Sequence, residues 1–320
     1  MTQPLTLAEI RQAAAIIGPA AHRTPVLTSP LLDGIMGGEV LAKDESSQRA
    51  GSFKFRGAFH RLSLIPDGDR SGGVVAVSSG NHGAAVACAA AMLAMPAVVY
   101  IPDDAPVAKR SLIESFGAEV VTFDRATSDR EGPARERAAA GRATFVHPFE
   151  DRDVMLGQGT TALELFEQVG EVDALLVPMS GGGLMAGCGS AMRALVPTCR
   201  LIGVEPAAAD DTLQSWLRGH PVRIEPPTTI ADGLALVSPG VNTFSLNRDL
   251  LDDVVTVTDR EIITAMVSAF DAVAVVLEPS GAVGVAALLA HPDRWRDQRV
   301  GVILSGGNID RPLFAALTGR

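Results

Sequence analysis

Short apolar runs recur along the chain at residues 40–42, 74–77, 98–101, 120–123, 175–177, 201–204, 254–257 and 300–304. They are rich in β-branched residues and mostly continuous rather than alternating, the pattern of strands covered on both faces. Between them, residues 109–116, 154–169 and 260–273 read as helices. Strand and helix in alternation predict an α/β protein with open, mostly parallel twisted sheets flanked by helices. The run over residues 84–101 has the length of a membrane span, but it is rich in alanine and is interrupted by Pro96, so it predicts a buried helix followed by a strand. The proline-rich stretch 221–229 reads as a linker. Residues 65–73, with Pro66, Asp67, Gly68 and Asp69, read as a crossing between domains.

Composition narrows the picture. A length of 320 residues suggests about two domains, and 47% hydrophobic with 20% charged residues is ordinary for a globular chain. The net charge of -10 and the pI near 5.1 argue against nucleic acid as a partner, since Lys and Arg supply that affinity. Any anionic ligand must be held locally. Aromatic residues make up 4%, too few for stacking platforms. Cys88, Cys188 and Cys199 are odd in number and include no CxxC pair, which predicts neither a disulfide framework nor a zinc site. The reading is a cytoplasmic protein without membrane association. The start, with Glu9 and Arg11 in a helical pattern, lacks the order of a signal peptide.

Three runs end alike. Residues 74–77 lead into Ser78-Ser79-Gly80-Asn81-His82-Gly83, residues 175–177 toward Ser180-Gly181-Gly182-Gly183, and residues 300–304 into Ser305-Gly306-Gly307-Asn308. Ligands in open α/β sheets bind at the carboxyl ends of strands, and a glycine turn entering a helix offers backbone N–H groups to an anion. Glycine also serves tight turns with no ligand, but three such turns with Ser or Asn beside the Gly favour one binding cleft. The stretch Gly181-Gly182-Gly183-Leu184-Met185-Ala186 fits a GxGxxA dinucleotide pattern, with Glu205 where a ribose-binding acid would sit. An NAD-dependent oxidoreductase is therefore one reading. A smaller phosphate-bearing cofactor satisfies the same turn.

Ser52 reads as the N-cap of a following helix, which places Lys54 in the first turn. There the positive end of the helix dipole disfavours a second positive charge, making Lys54 a candidate nucleophilic amine. A solvated surface lysine is the alternative. The segment Ser52-Phe53-Lys54-Phe55-Arg56-Gly57-Ala58 resembles the cofactor-lysine motif of the fold type II (tryptophan synthase beta-like) pyridoxal phosphate enzymes, specifically the serine racemase and threonine or serine dehydratase group that includes 3-hydroxyaspartate dehydratases. The resemblance keeps its order through Ser78 to Gly83, Gly157-Gln158-Gly159-Thr160, Ser180 to Gly187, Gly203-Val204-Glu205-Pro206, Ala231-Asp232-Gly233, Glu278-Pro279-Ser280-Gly281 and Ser305 to Asn308.

The resemblance implies a pyridoxal 5'-phosphate enzyme that takes water and then ammonia from serine, threonine or 3-hydroxyaspartate, giving a 2-oxo acid, with racemisation alongside or as the main activity. It implies that Lys54 holds the cofactor covalently and moves the substrate α proton, and that Ser180, Gly181, Gly182, Gly183 and Leu184 bind the phosphate. Asn81 would meet the ring hydroxyl, Phe53 would pack beside the ring, and Gly233 and Glu278 would complete the cofactor site. Ser305 would face the pyridine nitrogen, where a neutral hydroxyl leaves the ring a weaker electron sink than a carboxylate would and so favours β-elimination. Ser78, Ser79, Asn81 and His82 would receive the substrate carboxylate. Ser79 would also act as a second acid/base opposite the lysine, the alternative being a helix N-cap. Glu205, the Ala209 carbonyl and Asp211 would hold Mg²⁺ or Ca²⁺, where the bland reading is a solvated acidic loop. Arg130 would contact a substrate carboxylate.

By the same resemblance, residues 1–65 and 151–320 form a large cofactor-binding domain, residues 72–150 a smaller one inserted in it, and the chain pairs as a homodimer. Residues 231–244, with Pro239-Gly240, have the loop length of threonine dehydratases rather than of serine racemase, and the chain stops about a dozen residues after Asn308, without a regulatory domain.

Overall fold

The computed structural model describes residues 3–78, 80–105, 107–124 and 131–320. Its strands are β1 (Val26–Leu27), β2 (Glu39–Asp44), β3 (Val74–Val77), β4 (Ala97–Pro102), β5 (Glu119–Phe123), β6 (Thr144–Phe145), β7 (Ala174–Pro178), β8 (Arg200–Pro206), β9 (Asp253–Val257) and β10 (Arg299–Leu304). One six-stranded sheet has the order β1-β2-β10-β7-β8-β9, and a four-stranded sheet the order β5-β4-β3-β6. Among these pairings, β1 with β2 is antiparallel and the others are parallel. The small sheet is made from chain that leaves the large sheet after β2 and returns to it at β7.

The helices in chain order are α1 (Leu7–Ile17), α2 (Pro30–Met36), α3 (Lys54–Ser63), α4 (Asn81–Met92), α5 (Val107–Ser115), α6 (Gly132–Gly141), α7 (Arg152–Val169), α8 (Gly183–Leu195), α9 (Asp211–Arg218), α10 (Val241–Leu250), α11 (Asp259–Val273), α12 (Pro279–Ala290) and α13 (Arg311–Thr318). Helices α1, α7 and α8 build the core on one face of the large sheet, and α2, α11, α12 and α13 the core on the other. This sandwich explains the unbroken apolar strands. In β7, Ala174 and Leu176 enter one core while Leu175 and Val177 enter the other, so every position is apolar. The small sheet is covered in the same way, with Val74 and Ala76 of β3 facing α3 and α4 and Val75 facing α6.

The apolar run before Pro102 is α4 followed by β4, as its alanines and Pro96 predict. Among the described residues no helix is long and apolar enough to cross a membrane. Strands β1 and β6 have two residues each, too few to leave a periodic signal, and exist through their neighbours in the sheet. The crossing at residues 65–73 contains a short 3₁₀ turn, Asp67–Gly72.

Two features fix α3, the helix that begins with Lys54. It crosses α7 with the backbones almost touching: a Cβ at Gly157 would lie 2.6 Å from the Arg56 carbonyl oxygen, so only glycine fits. Beside that crossing, Arg56 is buried between Glu45 at 2.7 Å and Glu164 at 3.0 Å, and buried Lys43 reaches Glu164 at 2.6 Å. Two positive and two negative groups share one enclosed site, an arrangement that is costly to break because any survivor would be a buried unpaired charge. The expected Ser52 cap is not formed. Phe53 takes the cap position, and Ser52, itself in extended conformation after a 3₁₀ turn at Arg49–Gly51, has its hydroxyl buried without a hydrogen-bond partner.

Candidate active site

The turns after β3, β7 and β10 open on one cavity of about 340 Å³. Phe53, Lys54, Ser78, Asn81, His82, Ser180, Gly181, Gly182, Gly183, Leu184, Gly233, Glu278 and Ser305 all line it. Ser79 and Arg130 lie outside the described residues. Glu205, Ala209 and Asp211 sit apart from the cavity, at the end of β8 and the start of α9.

Lys54 stands in the first turn of α3, its Nζ donating to the Pro148 carbonyl at 2.9 Å and lying 5.2 Å from the centre of the Phe53 ring. Burial lowers its amine to about 8. Enclosure in the cavity, which the sequence reading from the helix position did not include, removes the water that would stabilise the ammonium. The amine is therefore available in neutral form near physiological pH.

At the start of α8, Gly182 adopts a left-handed conformation with φ of 87°, which a side chain would strain. Among the described residues, no protein acceptor takes the backbone N–H groups of Gly181, Gly182, Gly183 or Leu184. Free donors at the positive end of a helix fit a phosphate. The Phe149 ring packs against the back of this turn.

Helix α4 begins at Asn81. The Asn81 side-chain amide bridges the two sheets: its Nδ2 donates to Glu278, and its Oδ1 accepts from Asn308 Nδ2 at 2.7 Å. That pattern fixes which end of the amide is which and leaves one N–H for a ligand. Burial pushes Glu278 up to about 7. His82 is buried, and its Nε2 must donate to the Val146 carbonyl at 3.0 Å, leaving Nδ1 an acceptor without a protein partner. Burial, with Lys54 nearby, lowers His82 to about 3. A neutral imidazole with a free lone pair repels a carboxylate, so His82 offers an anion only its backbone. The Ser305 hydroxyl is buried with a long, 3.4 Å, contact to the Ser280 carbonyl, and Gly233 N donates to Ser280 Oγ at 3.0 Å.

The cavity rim carries groups that sequence reasoning passed over. Lys109 of α5 pairs with Asp232, joining the small sheet's helices to the segment before α10 across the opening. Glu131 pairs with His147 at 3.3 Å and Arg135 at 2.7 Å, and hydrogen bonds from these partners, His147 first, hold it near 2 against the opposing effect of burial. Charged residues on outer helices and in the turns beside them read as solvated surface, and only the fold aims them inward. Asn308 was visible as the end of a motif but not as the partner of Asn81.

Away from the cavity, Glu205 accepts from Thr212 N at 3.3 Å and Leu213 N at 2.7 Å at the start of α9, so it does not reach toward the glycine turn as a ribose-binding acid would. Both carboxylate oxygens of Asp211 are buried without a partner. Burial pushes Glu205 up to about 8 and Asp211 to about 7.

An α/β chain whose strand ends converge on an enclosed amine and a turn of free N–H groups defines an enzyme built around a phosphate-bearing carbonyl cofactor. Residues 17–306 match the model of the pyridoxal-phosphate dependent enzymes, and the chain belongs to that family. It is 44% identical to the L-threo-3-hydroxyaspartate ammonia-lyase of Pseudomonas sp, covering 97% of each chain. It is 40% identical to the serine racemase of Schizosaccharomyces pombe, over 97% of this chain and 96% of that one. The structure of maize serine racemase superposes with a TM-score of 0.94 at 38% identity, covering 98% of this chain and 97% of that one. Family membership sets aside the dinucleotide reading of the Gly181 turn.

Proposed function

We propose that the protein is a pyridoxal-phosphate-dependent ammonia-lyase that removes water from a 3-hydroxy amino acid, serine, threonine or 3-hydroxyaspartate, to give a 2-oxo acid and ammonia, with amino-acid racemisation as a side activity. The observation that carries the reading is the enclosed Lys54 amine in the same cavity as the free N–H turn, within a chain similar end to end to a hydroxyaspartate ammonia-lyase and a serine racemase.

In this proposal the Ser180 to Leu184 turn holds the cofactor phosphate, Phe53 and Gly233 flank the ring, Ser305 meets the ring nitrogen, Asn81 gives its remaining N–H to the ring oxygen, and Glu278 orients Asn81. When bound, pyridoxal phosphate supplies an electron-withdrawing ring that acidifies the substrate Cα–H. Lys54, neutral in part at pH 7 to 8, takes the α proton. The substrate carboxylate is received by Ser78, Ser79 and the backbone of Asn81 and His82. Departure of the β-hydroxyl as water, followed by hydrolysis of the released enamine, balances the reaction to a 2-oxo acid and ammonia. Ser79 returns a proton from the opposite face in the racemising branch, and Arg130 recognises the carboxylate of a dicarboxylic substrate.

Glu205, the Ala209 carbonyl and Asp211 are proposed to hold Mg²⁺ or Ca²⁺. The two orphaned oxygens of Asp211 beside a second buried carboxylate fit a hard cation. We also propose that residues 1–65 with 151–320, and residues 72–150, are separate domains, that the protein works as a homodimer, and that it is cytoplasmic, where its three buried, unpaired cysteines stay reduced.

The test is the absorption spectrum of the purified protein before and after L-serine, L-threonine and L-threo-3-hydroxyaspartate, with 2-oxo acid measured. A Lys54→Ala variant that keeps full activity would refute the mechanism, and absence of 2-oxo acid from all three substrates would refute the activity.

A further inference from the structure

Helix α10 contributes nothing to the lining of the cavity, yet it carries two buried polar side chains turned onto the glycine turn. Thr243 is fully buried and its Oγ1 donates to the Gly181 carbonyl at 2.5 Å. Asn247 is 2% exposed and its Nδ2 donates to the Gly182 carbonyl at 2.9 Å. The Asn247 Oδ1 is buried with no partner, a desolvation cost that a leucine at this position would avoid. Something other than packing favours the amide.

The geometry of the peptide unit says what these bonds accomplish. A trans peptide directs its C=O and the following N–H to opposite sides. Holding the carbonyls of Gly181 and Gly182 toward α10 therefore turns the N–H groups of Gly182 and Gly183 away from it. These are among the donors that no protein acceptor takes. The Gly182 carbonyl also accepts from Ala186 N at 2.9 Å as the first bond of α8, so the helix shares that hold with Asn247, whereas the Gly181 carbonyl lies outside the helix ladder and its peptide is held by Thr243.

The same helix is tied to the lysine side of the cavity. The Glu150 carboxylate caps the start of α10, accepting from Asn242 N at 3.1 Å and Thr243 N at 3.2 Å. Two residues earlier, the Pro148 carbonyl accepts from Lys54 Nζ. One short stretch of chain thus connects the amine's resting partner with the helix that holds the turn.

We propose that Thr243 and Asn247 are positioning residues for the cofactor phosphate: they preorganise the Gly182 and Gly183 N–H groups, and Glu150 registers α10 against the segment facing Lys54. This rests on the proposed phosphate role of the Ser180 to Leu184 turn. Preorganised donors bind an anion without an ordering cost at the moment of binding.

The experiment uses holoenzyme of wild type, Thr243→Val, Thr243→Ser and Asn247→Leu, with Glu150→Gln as a gentler perturbation from outside the helix. It reads cofactor release on dilution and the ³¹P resonance of the bound phosphate. Loss of one hydrogen bond of ordinary strength predicts release increased about tenfold in Thr243→Val and Asn247→Leu, with a displaced ³¹P resonance. Thr243→Ser, which keeps the hydroxyl, is expected to restore both, and Glu150→Gln to give a smaller change in the same direction. Wild-type retention and resonance in Thr243→Val and Asn247→Leu would overturn the proposal, as would a Thr243→Ser variant as impaired as Thr243→Val. These readouts follow the cofactor and not turnover, so they stand even if the substrate assignment fails.

Discussion

The lowered amine of Lys54 has a consequence that pH can read directly. Burial brings it to about 8, whereas a free lysine has its midpoint at 10.5. At pH 7.5 the enclosed amine is neutral in about 24% of molecules and a free one in about 0.1%, a ratio of about 240. Only the neutral amine attacks a carbonyl. Stopped-flow absorbance of pyridoxal phosphate uptake by the cofactor-free protein, from pH 6.5 to 10, is expected to give a rate that climbs about tenfold per pH unit below 8 and levels off above it. Dividing by the rate per neutral amine of a simple alkylamine in the same buffers removes the titration of the cofactor itself. The cause is separable as well. A helix-dipole effect is screened by salt, while desolvation is not, so the midpoint should stay in place between about 0.05 M and about 1 M salt. A normalised rate still rising steeply to pH 10 refutes the enclosed amine. A midpoint that moves strongly with salt refutes burial as its cause.

His82 predicts acid lability. Its folded midpoint, about 3, lies below the 6.5 of the unfolded chain, so the unfolded state binds the extra proton first and stability falls as pH drops from 6.5 toward 3. The loss is at most about 1.4 kcal/mol per pH unit, and urea unfolding of His82→Asn should show a flatter pH dependence than wild type. Replacing Arg56 by Met leaves Glu45 buried without its cation while Glu164 keeps Lys43, which predicts a destabilisation of about 3–5 kcal/mol and a melting temperature lower by about 5–7 °C. A calorimetric shift of only a degree or two would show the cluster to be replaceable. For the proposed cation, a chelator should lower the melting temperature and Mg²⁺ or Ca²⁺ restore it, with Asp211→Asn unresponsive to both; unchanged melting and activity in wild type would remove the metal from the scheme.

What could be read from the chain alone was what short stretches carry in their own chemistry. Strands such as Val74–Val77 and Arg299–Leu304 announce themselves because burial on both faces demands an unbroken apolar run. The glycine turns at their ends are legible because few other residues tolerate the backbone there, and Lys54 is legible through the residues around it. Partnerships between distant segments left no such mark. Nothing near Asn81 in sequence points to Asn308 or Glu278, nothing near Gly181 to Thr243, and nothing near Arg56 to Glu164, since each pair is separated by tens to hundreds of residues and meets only when the sheets pack. The tertiary structure also supplied the burial that lowers the Lys54 amine. A helix start can be inferred locally, but burial is a property of everything packed around a group, and here burial displaces water from Lys54 and His82 and sets which of them carries charge.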